Sequence, residues 1–271
     1  MKKGVHSKMS KLGLILLAVW SVYSHADDLD AITKRGSVVI GVRGDAPPLG
    51  QFDSQRGVVT GFDVDMATLV AKRLGVKAQF KTVTADDAVN ALKQGRVDLL
   101  FAAMPKISEH DKNLEYSIGY FVTAQKLATR RGRLTDLKQL DHMVICVAAG
   151  SSGAQLVHQL TKVAKVLELP DEDAAFHNLR IGRCDATPSL EPIALGRLAS
   201  FASHEDFEVA DLPLEQDVLS AGVRHGEKRL VEQINEALVS VEQSGEAQQV
   251  FNRWFGPKTA TPLIRTFKIQ Y

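Results

Sequence analysis

Two serines stand where they could bind an anion. Gly150, Ser151 and Ser152 follow the apolar run "HMVICVAA" and precede the helical pattern "SSGAQLVHQL". A serine at the start of a helix commonly caps it with its hydroxyl. The same helix end offers backbone N–H groups and the positive end of the dipole, which favour a carboxylate or phosphate. Ser151 and Ser152 are therefore predicted ligand-binding residues, with helix capping as the alternative.

His110 and Glu191 are the residues suited to acid–base chemistry. A histidine and a carboxylate within hydrogen-bond reach can exchange a proton with a substrate. His110 is equally well explained as a solvated residue at a helix start, and Glu191 as a first-turn acid that favours the helix dipole. The sequence has no nucleophile–base motif, metal-type Cys/His spacing or nucleotide loop. We therefore expect no catalytic residues, no metal and no cofactor, and a protein that is not an enzyme.

The loop "RGDAPPLGQFD" contains Asp45, which could bind a cationic group or brace the loop itself. Its two prolines lack backbone N–H donors, so the loop does not have a phosphate-binding pattern.

The elements that must position these residues form a repeated α/β pattern. Alternating apolar strands and amphipathic helices give β-α-β-α-β from Ser37 onwards, and the same order recurs from His142. The corners "GRVD" at Gly95 and "GRCD" at Gly182 occupy equivalent places in the two copies. This order predicts an α/β fold of two lobes, each a mostly parallel sheet with flanking helices. Ligands bind beyond the carboxyl ends of such strands, so we expect a ligand cleft between the lobes.

Residues 1–26 have the pattern of a signal peptide. Four lysines precede the apolar run "LGLILLAVWSVY", and Ser24 and Ala26 supply small residues for cleavage. A membrane anchor is the alternative, but the run is shorter than the roughly 20 residues that span a bilayer. We expect export to the periplasm. Removal of the four lysines changes the net charge from +1 to −3, which leaves no basic surface for nucleic acid.

The two cysteines, Cys146 and Cys184, both lie in predicted buried strands. An exported protein meets an oxidising compartment, in which a disulfide can form. Buried free thiols that pack as small apolar groups are the alternative, and the sequence leaves the choice open.

The segments "GFDVDMATLVAKRLGV", "GRVDLLFAAM", "VAAGSSG" and "SVEQSGEAQQVFNRWFG", in this order, resemble the bacterial periplasmic solute-binding proteins of family 3, the polar amino-acid-binding type. The resemblance runs from Ile32 to Gly256. It implies a first lobe formed by residues 27–124 and completed by 221–271 with the C-terminal tail. Residues 125–220 would form the second lobe, with hinge crossings near 125–128 and 219–222.

The resemblance also implies a function and its partners. Such proteins capture a small polar solute by hinge closure and deliver it to an ABC permease in the inner membrane. We therefore expect a monomer that binds a small polar or carboxylated solute, such as an amino acid or a related compound. Two alternatives on the same scaffold are a non-transport sensor or partner-binding protein, and an enzyme similar to the periplasmic cyclohexadienyl dehydratases.

The anchors that the family uses for an α-amino acid are altered in the first lobe. The family threonine that follows the motif methionine corresponds to Pro105, which has neither a hydroxyl nor an N–H group. The family arginine that grips the α-carboxylate corresponds to His110, which cannot make the same two-point contact. The aromatic residue expected after two prolines corresponds to Leu49, with Phe52 close by. We also expect Ala103 in the site.

In the second lobe, one of the family's ligand-binding positions is retained and another is altered. The "GT" or "GS" corner survives as Gly150-Ser151. The family aspartate that takes the α-ammonium corresponds to Leu190, with Glu191 one place later. Pro188 predicts an early end to this strand, which would re-aim Glu191 into the cleft. These changes leave open whether the ligand is a standard α-amino acid or a related polar compound.

Overall fold

The computed structural model describes residues 28–106, 114–212 and 214–271. The predicted signal peptide and His110 lie outside the described residues. The chain has the predicted two-lobed α/β fold. The elements, in chain order, are α1 (Asp28–Arg35), β1 (Ser37–Arg43), β2 (Asp45–Ala46), β3 (Gly50–Asp53), β4 (Val58–Thr60), α2 (Phe62–Arg73), β5 (Lys77–Val83), α3 (Ala88–Lys93), β6 (Leu99–Leu100), β7 (Leu114–Arg130), β8 (Val144–Ala148), α4 (Ser152–Leu160), β9 (Lys165–Leu169), α5 (Glu172–Arg180), β10 (Ala186–Leu190), α6 (Glu191–Ala199), β11 (Phe207–Val209), β12 (Glu215–Arg224), α7 (Lys228–Gln243) and α8 (Glu246–Phe255), with short 3₁₀ turns at Leu137–His142 and His204–Asp206.

The first lobe is built around β1, which lies between β5 and β6 and runs parallel to both. Helix α2 covers this sheet and turns Met66 and Val70 into the core. Its first turn carries Asp63 and Asp65 and its last turn carries basic residues, as the helix dipole favours.

The second lobe is built around β8, which runs parallel to β9 and β10. Helices α5 and α6 pack over one apolar cluster of this lobe, which contains Cys146 and Cys184. The two cysteines form a disulfide with their Cα atoms 5.8 Å apart. The structure thus answers the question that the sequence left open.

The two lobes share one sheet because β7 and β12 run from one lobe into the other. Strand β7 pairs antiparallel with β12 over the first lobe as far as Gln125. From Gln125 onwards it pairs with β10 of the second lobe. Gln125 therefore marks the point where β7 changes partners. The predicted lobe bounds of 27–124, 125–220 and 221–271 stay a prediction.

Two local expectations from the sequence were wrong. Pro188 does not end its strand: it lies within β10, opposite Leu127 of β7. The neighbouring strand β8 pairs with β10 at Ala186 alone, so the missing N–H of Pro188 leaves no ladder bond unmade on that side. The loop after β1 is also more ordered than expected, because β2, β3 and β4 form a small antiparallel sheet.

Within the part of the chain that the structure describes, no helix is both long and apolar enough to cross a membrane.

Candidate ligand-binding site

The lobes meet across the cleft through buried arginines. Arg43 ends β1, and its Nη2 lies 3.2 Å from Oε2 of Glu172 in the first turn of α5. Arg43 also holds both carboxylate oxygens of Asp45, at 2.9 and 3.0 Å. From the other lobe, Arg197 of α6 donates to the backbone carbonyl of Asp45 at 2.7 Å. We call Arg43, Asp45, Glu172 and Arg197 the interlobe latch.

The electrostatics of the interlobe latch favour the charged state of its members. Burial works against the Arg43 charge, but Asp45 and Glu172 outweigh it and raise the pKa of Arg43. Burial likewise opposes the Asp45 charge, yet the hydrogen bond and charge of Arg43 hold the pKa of Asp45 below its usual value. Charged pairs screened from water are stronger than exposed ones. The latch therefore stabilises contact between the lobes.

Close backbone packing accompanies the interlobe latch. Gly196 of α6 lies against the loop of the first lobe, where a Cβ atom would come within 2.3 Å of the Pro47 carbonyl oxygen. Such an approach leaves room only for glycine. The two lobes are thus in direct contact on this side of the cleft.

Helix α4 begins at the cleft end of β8 with an open N-terminus. Ser151 is its N-cap, and its Oγ accepts the N–H of Ala154 at 3.1 Å. The N–H groups of the first two helical residues, Ser152 and Gly153, have no carbonyl partner within the helix. The lack of a side chain at Gly153 lets the helix approach β10, since a Cβ atom there would come within 2.9 Å of Pro188. Ser151 therefore caps the helix through Ala154 and leaves the N–H groups of Ser152 and Gly153 without a helical partner.

Gln125 of β7 connects this helix end to a polar residue of the other crossing strand, β12. The Nε2 of Gln125 donates to Ser152 Oγ at 3.3 Å and to Asp217 Oδ2 at 3.1 Å. The Gln125 Oε1 and the Thr123 Oγ1 are buried without a hydrogen-bond partner. Burial, reinforced by the charge of Glu215, raises the pKa of Asp217. We call Thr123, Gln125 and Asp217 the hinge row.

Ala103 makes its described hydrogen bond through the backbone N–H and not through its side chain. It has a φ of 51°, a left-handed conformation that non-glycine residues seldom adopt. Its N–H donates at 2.7 Å to Asp63, which is buried in α2 and also accepts from the Tyr120 hydroxyl at 3.0 Å. Burial raises the pKa of Asp63 to about 7, although these two hydrogen bonds and the charge of Arg43 oppose the rise.

The other predicted site residues lie on different elements of the fold. Leu49 and Leu190 are buried in the same apolar cluster, which joins the lobes. Phe52 is 53% exposed on β3. Pro105 forms an isolated bridge with Leu219 of β12, so its segment lies along the crossing strand.

Glu191 forms an ion pair. Its Oε1 lies 2.7 Å from Lys126 Nζ, so its charge is already matched. It lines a cavity of about 720 Å³ between the crossing strands and the C-terminal tail, together with Thr123, Glu215 and Phe267.

Six residues of the site were not predicted from the sequence, namely Arg43, Glu172, Arg197, Thr123, Gln125 and Asp217. Arg43 offered a local signal, because a charged residue ends an apolar strand just where the cleft was expected. Gln125 and Asp217 offered none, since they meet only through the pairing of β7 with β12.

The chain matches the model of the bacterial extracellular solute-binding proteins, family 3, over residues 38–257. It belongs to this family. It is 26% identical to the L-cystine-binding protein TcyJ of Escherichia coli (strain K12) over 262 residues, covering 93% of this chain and 96% of that relative. This family 3 chain has the solute-binding role of its relatives, which are binding proteins.

Solved structures agree with this assignment. An ancestral arginine-binding protein bound to arginine is 30% identical to this family 3 chain, with a TM-score of 0.74 over 82% of this chain and 99% of that one. The solute receptor for L-cysteine of Neisseria gonorrhoeae is 25% identical, with a TM-score of 0.75 over 84% of this chain and 94% of that one.

Proposed function

We propose that this protein binds a small solute of the amino-acid type, with a carboxylate and an ammonium group, in the cleft between its lobes. Residues 1–26 direct it to the periplasm, where it acts as a monomer and delivers the solute to an ABC permease. The relatives support this class of solute, because they are named for binding cystine, cysteine and arginine. The protein binds its solute without converting it.

The observation that carries the proposal is the open N-terminus of α4. The N–H groups of Ser152 and Gly153 lack helical partners, and Ser151 caps the helix from its side. A carboxylate placed there accepts two N–H hydrogen bonds and gains from the helix dipole. The N-terminus of α4 thereby takes over part of the role of the family arginine, whose position in this sequence corresponds to His110.

Hinge closure then encloses the solute. Only β7 and β12 run between the lobes, so the described part of the chain has two extended crossings about which the lobes can rotate. The interlobe latch stabilises the closed form through its contacts between the lobes. A solute that contacts both lobes shifts the population towards that form.

Two substitutions at Ser152 test the carboxylate site. Ser152→Pro removes the N–H donor, yet proline is favoured at the first position of a helix. The extended backbone of Ser151, with ψ 158°, accepts a following proline. Ser152→Ala is the matched control, because it loses the same hydroxyl but keeps the N–H.

Calorimetric titration should use the amino acid that most stabilises the wild type in a thermal-shift panel of the 20 standard L-amino acids and L-cystine. We expect Ser152→Pro to weaken binding by about 10- to 100-fold relative to Ser152→Ala, since a hydrogen bond to a charged group contributes about 1.5–3 kcal/mol. Equal affinities of the two variants would contradict the proposed carboxylate position. Mass spectrometry of the recovered solute should show it unchanged.

A further inference from the structure

We propose that Asp217 on β12 supplies the carboxylate that binds the ammonium group of the solute, in place of the aspartate that is missing at Leu190. Gln125 and Thr123 complete this ammonium site with their side-chain oxygens. The inference rests on the proposed function and adds a specificity-determining residue to it.

The strand register places the new carboxylate beside the lost one. Leu190 of β10 lies directly opposite Gln125 of β7, and Gln125 lies opposite Glu215 of β12. Asp217 is two residues further along β12 and lies opposite Thr123. Residues directly opposite on antiparallel strands project to the same face. Leu190, Gln125 and Asp217 therefore share one face of the sheet, with Gln125 between the two positions.

The hinge row is rich in acceptors that lack a donor. Gln125 is 4% exposed and Thr123 is 8% exposed, and the side-chain oxygen of each has no partner. A buried acceptor without a hydrogen bond is destabilising, because it has lost its contact with water and gained no partner. An ammonium group has three N–H donors, so one bound here can satisfy both oxygens and the Asp217 carboxylate.

The hinge row also has an acidic group, Asp217, without a cationic partner among the described residues. Asp217 is half-buried near the charge of Glu215, and both effects raise the pKa of Asp217. Within the described ranges, no lysine or arginine forms an ion pair with Asp217. Lys126, the nearest candidate along β7, contacts Glu191 and Asp211. A bound ammonium group would supply the charge that Asp217 lacks.

The spacing suits one small zwitterion. Ser152 Oγ at the start of α4 and Asp217 Oδ2 both lie within 3.3 Å of the same Gln125 nitrogen. In an α-amino acid, the ammonium nitrogen and the carboxyl carbon are only about 2.5 Å apart. A carboxylate on the N–H groups of Ser152 and Gly153 therefore leaves the ammonium within reach of the hinge row. Glu191, the other candidate acid, is matched by Lys126.

The test compares an amino acid with its desamino analogue, in which hydrogen replaces the ammonium group. The probe is the L-amino acid that most stabilises the wild type in the panel named above. Calorimetric titration is run on the wild type, on Asp217→Asn and on Asp211→Asn. Asp211→Asn is the matched control, because this substitution removes the same charge from a fully exposed side chain. The Asp211 carboxylate lies 3.7 Å from Lys126 Nζ.

We expect the wild type and Asp211→Asn to prefer the amino acid over its analogue by about 10- to 100-fold, the value of a charge-assisted hydrogen bond. Asp217→Asn should lose this preference and bind both compounds with similar affinity. Undiminished preference in Asp217→Asn would overturn the inference while leaving the carboxylate site at α4 standing. If no amino acid binds the wild type, the proposed function fails and the inference fails with it.

A second variant keeps the test decisive if Asp217→Asn does not fold. Thr123→Val preserves the shape of the side chain and removes only its hydroxyl. We expect it to weaken binding of the amino acid by about 2- to 10-fold, as for a neutral hydrogen bond, and to leave the analogue unaffected. Equal losses for both compounds would count against an ammonium at the hinge row.

Discussion

Arg43 of the first lobe and Glu172 of the second are in contact across the cleft, with 3.2 Å between Nη2 and Oε2. Both side chains are largely shielded from water. Ion pairs and hydrogen bonds are stronger in such a shielded environment than at the surface. The contact joins β1 to the first turn of α5. It links the state of the cleft to the relative position of the lobes.

The first prediction concerns this contact. Glu172→Gln keeps the shape of the side chain but removes the charge that Arg43 and Arg197 share. We expect the closed form to lose about 1–2 kcal/mol of stability, the difference between charged and neutral hydrogen bonds. Small-angle X-ray scattering without added solute should give a larger radius of gyration than for the wild type.

Asp173→Asn is the matched control for that measurement. Asp173 is the next residue of α5, and its partner Arg197 belongs to the same lobe. We expect its radius of gyration to equal that of the wild type. A Glu172→Gln variant as compact as the control would show that the interlobe latch does not stabilise closure.

The second prediction follows from the buried Asp63, whose pKa is raised from 3.8 to about 7 by burial. Between these values the folded state holds a proton that the unfolded state has released, so this group lowers stability as pH rises from about 4 to about 7. Asp63→Asn can still accept from Ala103 N–H and can donate to the Tyr120 oxygen, but it does not titrate.

Urea unfolding of both proteins at several pH values checks this prediction. We expect the free energy of unfolding of Asp63→Asn to rise relative to the wild type as pH increases from about 4 to about 7. A constant difference between the two proteins over this range would mean that Asp63 titrates alike in the folded and unfolded states.

The third prediction concerns the disulfide between Cys146 and Cys184, which are 38 residues apart in the chain. Cross-linking a loop of this length restricts the unfolded chain and contributes about 4 kcal/mol in the chain-entropy model. We expect the double variant with alanine at both positions to unfold at a lower urea concentration. A reductant should shift the wild type in the same direction and leave the variant unchanged. Two free thiols in the unreduced, unfolded wild type would contradict the pairing.

The sequence predicted the helices and strands whose apolar residues follow a clear period. Helix α2 is an example, because Met66 and Val70 recur at helical spacing between acidic and basic ends. Strand β7 was not predicted from its pattern, although it is 17 residues long. It serves both lobes and changes partners at Gln125, so it has no single pattern of buried and exposed faces.

The candidate site was predictable only where it depends on local sequence. The cap at Ser151 follows from its place between a strand and a helix. By contrast, 129 residues separate Arg43 from Glu172, and 92 separate Gln125 from Asp217. Such pairs form only after the lobes have folded and the crossing strands have paired. Glu191 is a further example: it was a predicted ligand-binding residue, but its ion-pair partner Lys126 lies on a strand 65 residues earlier in the chain.

The position of a bound solute tests the central claim most directly. A crystal structure should be determined with the best-binding amino acid of the panel. We predict its carboxylate oxygens within hydrogen-bond distance, about 2.7–3.2 Å, of the backbone nitrogens of Ser152 and Gly153. A solute that sits in the cleft with its carboxylate on Arg43, or one held away from α4, would contradict the account.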